Sequence, residues 1–309
     1  MAHSIPFGSR STADQVLAGI DLSRKRVLIT GCNSAVGIEV MKALSANGAR
    51  IIGVARTPAD AEIACGAVGR SMTPLGCDPT DLASIDAAVG AVRDLATPLD
   101  AVIFNSVELT SFADHIARFM FVNRLAELVR DRTGRIAIAG TDASMTEAPG
   151  ESELREKLGD ETIHELYAVQ GQAKLATALL AKELSRRLEA RGVVVNGFHS
   201  GETENRNPTE AHAGQRMLQS LLRPFTKSPA QRAATPTLLA ASPLVVGITG
   251  QYWSNCQISQ DNPQFLDAGL AKRLWEVSAQ FAAMASGRGG FRQIAWFGSD
   301  ARLPHFEGQ

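Results

Sequence analysis

Apolar positions along the chain gather into short continuous runs, and between these runs they recur every three or four residues. A run of four to six apolar residues reads as a strand buried on both faces; the three-to-four spacing reads as a helix that buries one stripe. Strands are expected at 26–30, 49–55, 71–77, 99–104, 135–139, 193–198 and 250–258. Helices are expected at 11–20, 38–47, 81–95, 112–130, 161–191 and 263–285. The first opens with Ser-Thr-Ala-Asp, a capping pattern, and the second closes at Gly48, a residue suited to a left-handed C-terminal position. The helix at 81–95 sets Leu82, Ile85, Ala88, Val89 and Val92 on one stripe. Strands alternating with helices at this spacing predict an α/β fold: one doubly wound parallel sheet, Rossmann-like, with helices on both faces.

At 309 residues the chain suits one large domain, here 1–286, followed by an extension at 287–309 that begins Gly-Arg-Gly-Gly and carries Phe291, Trp296, Phe297 and Phe306. Thirty-one Lys and Arg balance 32 Asp and Glu, with no long run of either sign. That balance argues against nucleic acid or an anionic membrane as the partner and favours a small molecule. Cys32, Cys65, Cys77 and Cys256 form no C-x-x-C pair, so reduced thiols in a cytoplasmic protein are expected, with no metal site. No apolar segment is long enough to span a bilayer, and the N-terminus lacks a signal-peptide core.

The stretch 26–37, Arg-Val-Leu-Ile-Thr-Gly-Cys-Asn-Ser-Ala-Val-Gly, is the candidate nucleotide pocket. Small residues at a strand-to-helix turn let backbone amides approach a diphosphate, whose charge the helix N-terminus then holds. Gly31, Asn33, Ser34, Val36 and Gly37 are the expected contacts, although the two glycines could equally serve close strand–helix packing. The next strand ends at Arg56, where an acidic residue would bind a free ribose hydroxyl and an arginine accommodates a 2′-phosphate, so NADP(H) is favoured over NAD(H). Asp78 and Asn105 follow the third and fourth strands, Asp78 placed to accept from an adenine amino group. Thr141 follows the fifth, on the carboxyl edge where open α/β sheets bind ligands, and 199–208, which includes Thr203, has the composition of a lid.

The segment 30–37 resembles the T-G-A-N-S-G-I-G turn of the short-chain dehydrogenases/reductases, particularly the retinol dehydrogenases and WW-domain-containing oxidoreductases. The segments 7–13, 78–82, 99–105, 135–141, 174–188 and 250–253 are similar to that subgroup, as is Leu274-Trp275-Glu276 in the closing helix. The resemblance implies a nicotinamide cofactor and a catalytic serine, tyrosine, lysine and asparagine. Lys174 stands at the lysine position and Thr141 at the serine position; the asparagine position falls near Asp114. The tyrosine position is Gln170. An amide neither gives nor takes a proton near neutral pH, so loss of the tyrosine is expected to cost about a hundred- to ten-thousand-fold in alcohol–ketone interconversion. Tyr167, about 10 Å along the helix axis from Lys174, is a possible replacement donor or simply a packed aromatic. Ala35 stands at the middle glycine of the turn and puts a methyl group near the diphosphate.

Three functions stay open at this point: an atypical NADP(H)-dependent oxidoreductase on a small, apolar organic substrate; a non-redox cyclase, isomerase or lyase; and a non-catalytic cofactor-binding protein. The resemblance also implies a homodimer, with the helix through Leu179 and Leu184 offering an apolar face.

Overall fold

β1 (Arg26–Thr30) is a continuous apolar segment that satisfies its backbone groups on both sides, against β2 (Arg50–Ala55) and β4 (Ala101–Phe104). The structure, a computed structural model, describes residues 5–69, 72–105, 112–140, 173–199, 227–259 and 263–287. With β3 (Met72–Gly76), β5 (Arg135–Gly140), β6 (Val194–His199), β7 (Tyr252–Ser254) and β8 (Gln257–Ile258), these strands form one sheet in the order β3-β2-β1-β4-β5-β6-β7-β8. Every neighbouring pair is parallel except β7 and β8. The order reverses between β1 and β4, and in such sheets that switch point opens a crevice at the carboxyl ends of the strands.

Successive residues of the central strands feed opposite cores, which is why those strands read as unbroken apolar runs. Leu28, Val102, Phe104, Ile136, Ile138 and Tyr252 face one core, whose other wall is α4 (Leu82–Asp94), α5 (Phe112–Ala126), α6 (Ala173–Arg187) and α9 (Ala268–Gly287). Val27, Ile29, Ala101, Ile103, Ala137 and Trp253 face the other, closed by α1 (Ala13–Leu17), α2 (Ala35–Ala46), α3 (Pro58–Val68), α7 (Pro229–Arg232) and α8 (Ala234–Ala241). The capping pattern at the start of α1 is realised: Thr12 and Gln15 cap each other's backbone N–H groups at 3.4 and 3.0 Å.

Several expectations need correction. The strand expected at 250–258 is a hairpin, because Asn255 and Cys256 both take left-handed backbone (φ 56° and 60°) and turn the chain back in a two-residue loop. The closing helix begins with a 3-10 turn at Pro263–Leu266 and becomes α-helical only at Ala268. α3, capped by Thr57 with Pro58 in its first turn, and α7 and α8 were not anticipated. Leu179 and Leu184 are buried within the chain, in the core that α9 helps to close, so they offer no face to a second copy. The part of the expected helix at 161–172, and the extension beyond Gly287, lie outside the described residues.

Candidate functional site

The turn between β1 and α2 is built from a few mutually satisfied groups. Gly31 takes a left-handed backbone (φ 62°), a conformation that favours glycine. Cys32 turns inward, fully buried, and its N–H donates to the Val54 carbonyl at 3.1 Å, which ties the turn to β2. Ser34 is the N-cap of α2: its Oγ donates to the Gly31 carbonyl (2.8 Å) and accepts from the Gly37 N–H (3.0 Å) and from the Asn105 side-chain amide (3.1 Å). A Cβ on Gly37 would collide with the Gly31 carbonyl oxygen, so this glycine sets how closely helix and strand approach. Asn33, Ser34 and Ala35 are exposed while Val36 and Gly37 are buried, so one side of the turn is open and the other is packed.

Asn105 ends β4 at the switch point and is 3 % exposed. Its amide nitrogen is committed to Ser34, whereas its Oδ1 is buried without a partner among the described residues. An orphaned buried acceptor costs about 1–3 kcal/mol, which a ligand hydroxyl or amino donor would recover. Arg56 stands exposed directly after β2, next in the sheet to the turn. The carboxylate closest to it in sequence, Asp60, is engaged by Thr57, whose Oγ1 donates to it at 2.7 Å. Asp78 commits Oδ1 to Thr80, accepting from its N–H (2.9 Å) and its hydroxyl (2.8 Å), and retains Oδ2 for another donor. These groups occupy one edge: a helix N-terminus, an orphaned acceptor, an arginine and a carboxylate.

The fit to a dinucleotide rests on that orphaned Asn105 acceptor and on the close approach of turn and helix that Gly37 permits. Gly31, Asn33, Ser34 and Val36 would line its diphosphate, with Asn105 beside its ribose.

Further along the same edge, Lys174 opens α6, half-buried, with Nζ 6.0 Å from the ring centroids of Tyr252 and Phe265. The expected positions Thr141, Tyr167, Gln170 and Thr203 lie outside the described residues. Beneath this edge is a buried polar cluster that the sequence reading missed. Arg118 on α5 donates from Nη1 to the Ala139 carbonyl (2.6 Å) and the Thr177 hydroxyl (3.5 Å), pinning the end of β5 to α6. Burial holds its guanidinium down to about 10, still cationic at neutral pH. His115, one turn earlier, donates from Nε2 to Ser278 Oγ at 2.9 Å, since that hydroxyl gives its own proton to the Leu274 carbonyl (2.7 Å). Burial pushes His115 down to about 4, so it is neutral. The available signal was a His and an Arg on the apolar stripe of the 112–130 helix, where solvated charges do not belong.

All four cysteines are buried free thiols, and burial pushes Cys32 and Cys77 up to about 12. Among the described residues, no group of three or more His, Cys, Asp or Glu is placed to hold a metal ion, and no helix is long and apolar enough to cross a membrane.

Fold and edge together define a doubly wound α/β protein with a candidate ligand crevice at its switch point. Residues 25–115 match the short-chain dehydrogenase family model. The chain is 28% identical over 299 residues to a WW domain-containing oxidoreductase of Drosophila melanogaster, an alignment covering 90% of this chain and 73% of that protein. It is 29% identical over 291 residues to retinol dehydrogenase 14 of Mus musculus, covering 82% and 84% of the two chains. Among solved structures, a protein from Mycobacterium Paratuberculosis superposes with a TM-score of 0.60 at 22% identity, over 88% of this chain and 97% of that one. Over these spans the chain is similar to the short-chain dehydrogenases/reductases.

Proposed function

We propose that this protein is an NADP(H)-binding oxidoreductase of the short-chain dehydrogenase/reductase family that acts on a small, apolar organic substrate without the usual tyrosine proton donor. The observation that carries the cofactor choice is Arg56, exposed at the carboxyl end of β2 where a carboxylate would select NAD(H). An apolar substrate agrees with a relative named for retinol, an apolar alcohol. A bound nicotinamide would supply a hydride donor or acceptor. The chain's own task is to place the substrate and handle the proton. Lys174 is the cation available at the nicotinamide end of the edge; Gln170 orients a substrate oxygen by hydrogen bonding, and the proton comes from Tyr167 or water. Because Gln170 cannot exchange a proton, a non-redox enzyme on the same fold is the second reading. The same proposal takes the protein to be cytoplasmic, with 1–286 as its catalytic domain.

Calorimetric titration with NADPH and NADH tests the central claim. NADPH should bind at least tenfold more tightly, and Arg56→Ala should remove most of that preference, since a charge-assisted hydrogen bond contributes about 1.5–3 kcal/mol. Equal affinities in the wild-type protein would refute it.

A further inference from the structure

The opposite edge of the sheet, at the amino-terminal ends of its strands, carries a cavity. Val27, Ala101, Arg135 and Val194 stand in register across β1, β4, β5 and β6, so a guanidinium replaces an aliphatic side chain in an otherwise apolar row. Arg135 donates from Nη1 to the carbonyl oxygens of Ser242 (2.6 Å) and Leu239 (3.4 Å), at the C-terminal end of α8. The rest of its fork meets no carboxylate among the described residues, and burial pulls the group below the ordinary arginine range. In front of this row lies a cavity of about 230 Å³, also lined by Lys25, Arg132, Leu22 and Val246. Val246 is 68 % exposed and presents an apolar surface at the cavity.

The one carboxylate lining the cavity is already compensated. Asp100 accepts from Lys25 Nζ (3.2 Å), Arg130 Nε (3.0 Å) and the Arg26 N–H (3.0 Å). With Asp100 satisfied, Arg132 and Arg135 leave the cavity an excess of positive charge over an apolar floor. The volume lies below the roughly 300–1,000 Å³ of drug-sized pockets, which excludes a nucleotide and suits a short acyl chain.

We infer that this cavity is a binding site for a small amphipathic carboxylic acid, its carboxylate on the Arg135 and Arg132 guanidinium groups and its hydrocarbon against Leu22, Val27 and Val246. A planar guanidinium fork matches a carboxylate in two parallel hydrogen bonds, and withdrawal from water strengthens each. The site is separate from the cofactor cradle: about 10 Å of strand lies between Val27 and Thr30. A ligand here stabilises the folded chain by mass action without touching the dinucleotide turn.

Isothermal titration with octanoate at neutral pH tests the inference. The expected result is one saturable site with Kd at or below about 1 mM, unchanged by saturating NADPH, and at least tenfold weaker binding of 1-octanol. Arg135→Gln and Arg132→Asn should each weaken octanoate at least tenfold. Arg132 is exposed in left-handed backbone (φ 65°), which asparagine tolerates, so that variant decides the matter even where Arg135→Gln folds poorly. Equal binding of octanol and octanoate, displacement of octanoate by NADPH, or wild-type affinity in Arg132→Asn would overturn the assignment.

Discussion

Asn105 at the end of β4 donates its side-chain amide to the hydroxyl of Ser34 at 3.1 Å, joining two residues 71 apart in sequence. Through this contact the switch point of the sheet and the N-terminus of α2 become one rigid unit. Ser34 is saturated by it, holding one acceptor and two donors, while Asn105 Oδ1 is buried without a partner among the described residues.

Ser34→Ala should therefore remove more than a helix cap. The cap contributes about 1 kcal/mol, and stranding the buried Asn105 amide adds about 1–3 kcal/mol. Urea unfolding is expected to show a loss in that combined range, with Ser34→Thr recovering at least half because the hydroxyl is kept. An unchanged midpoint in Ser34→Ala would show that the contact is not formed.

Gly37→Ala sets two effects of opposite sign against each other. By propensity alone, alanine within a helix is favoured over glycine by about 1 kcal/mol. Here the new methyl group would meet the Gly31 carbonyl, and such overpacking costs about 1–3 kcal/mol. The collision should win, lowering thermal stability and weakening cofactor binding. Gly66→Ala, in α3 with nothing within 4 Å of a new Cβ, is the matched control and should raise stability. If both variants gain stability, the turn is looser than described.

His115 gives the fold a defined pH response. Its folded-state value of about 4 lies below the ordinary 6.5, so the unfolded chain takes up a proton first as pH falls. Above pH 6.5 the group is neutral in both states and contributes no pH dependence; between 6.5 and about 4, stability falls progressively. A shift of that size corresponds to about 3 kcal/mol across the window. His115→Gln, which retains a donor for Ser278, should flatten that slope. Glu183, held low chiefly by its hydrogen bond from Arg186, adds its own acid sensitivity equally to both proteins, so the difference curve isolates His115. Parallel curves would refute the assignment.

The sheet was legible in the sequence because its central strands, β1, β2, β4, β5 and β6, are buried on both faces, and the turn at Gly31 because a tight strand-to-helix connection needs small residues in a fixed order. Length and local turn chemistry hid the rest. α7 and α8 are short, with Pro229 and Pro236 where an uninterrupted periodicity would be needed. The left-handed pair Asn255 and Cys256 folds one apolar run into a hairpin, and nothing in a Tyr-Trp-Ser-Asn-Cys run marks cysteine as a turn residue. Arg118 and His115 were missed because their partners, Ala139, Thr177 and Ser278, come from three distant segments. Leu179 and Leu184 misled in the other direction: an apolar stripe names a buried face, and here α9 of the same chain helps to bury it.

On the proposed function, Lys174 and Gln170 frame the chemistry: the resemblance puts a lysine at the one position and a tyrosine at the other. If Lys174 serves chiefly to hold the cofactor ribose, Lys174→Ala should weaken NADPH binding about tenfold or more, the worth of one charge-assisted hydrogen bond, although no phenol remains to be tuned. Gln170→Tyr restores a phenol four residues before Lys174 and should introduce reduction of small ketones that the wild type lacks, a gain bounded by the roughly hundred- to ten-thousand-fold worth of a general acid. Tyr167→Phe reads the alternative, in which the donor has moved about one turn along the helix. A large loss of turnover in Tyr167→Phe with unchanged NADPH affinity assigns the proton to that phenol, whereas unchanged turnover assigns it to water. Brisk ketone reduction by the wild type, indifferent to Tyr167→Phe, would refute the reading that this site has lost the usual proton transfer.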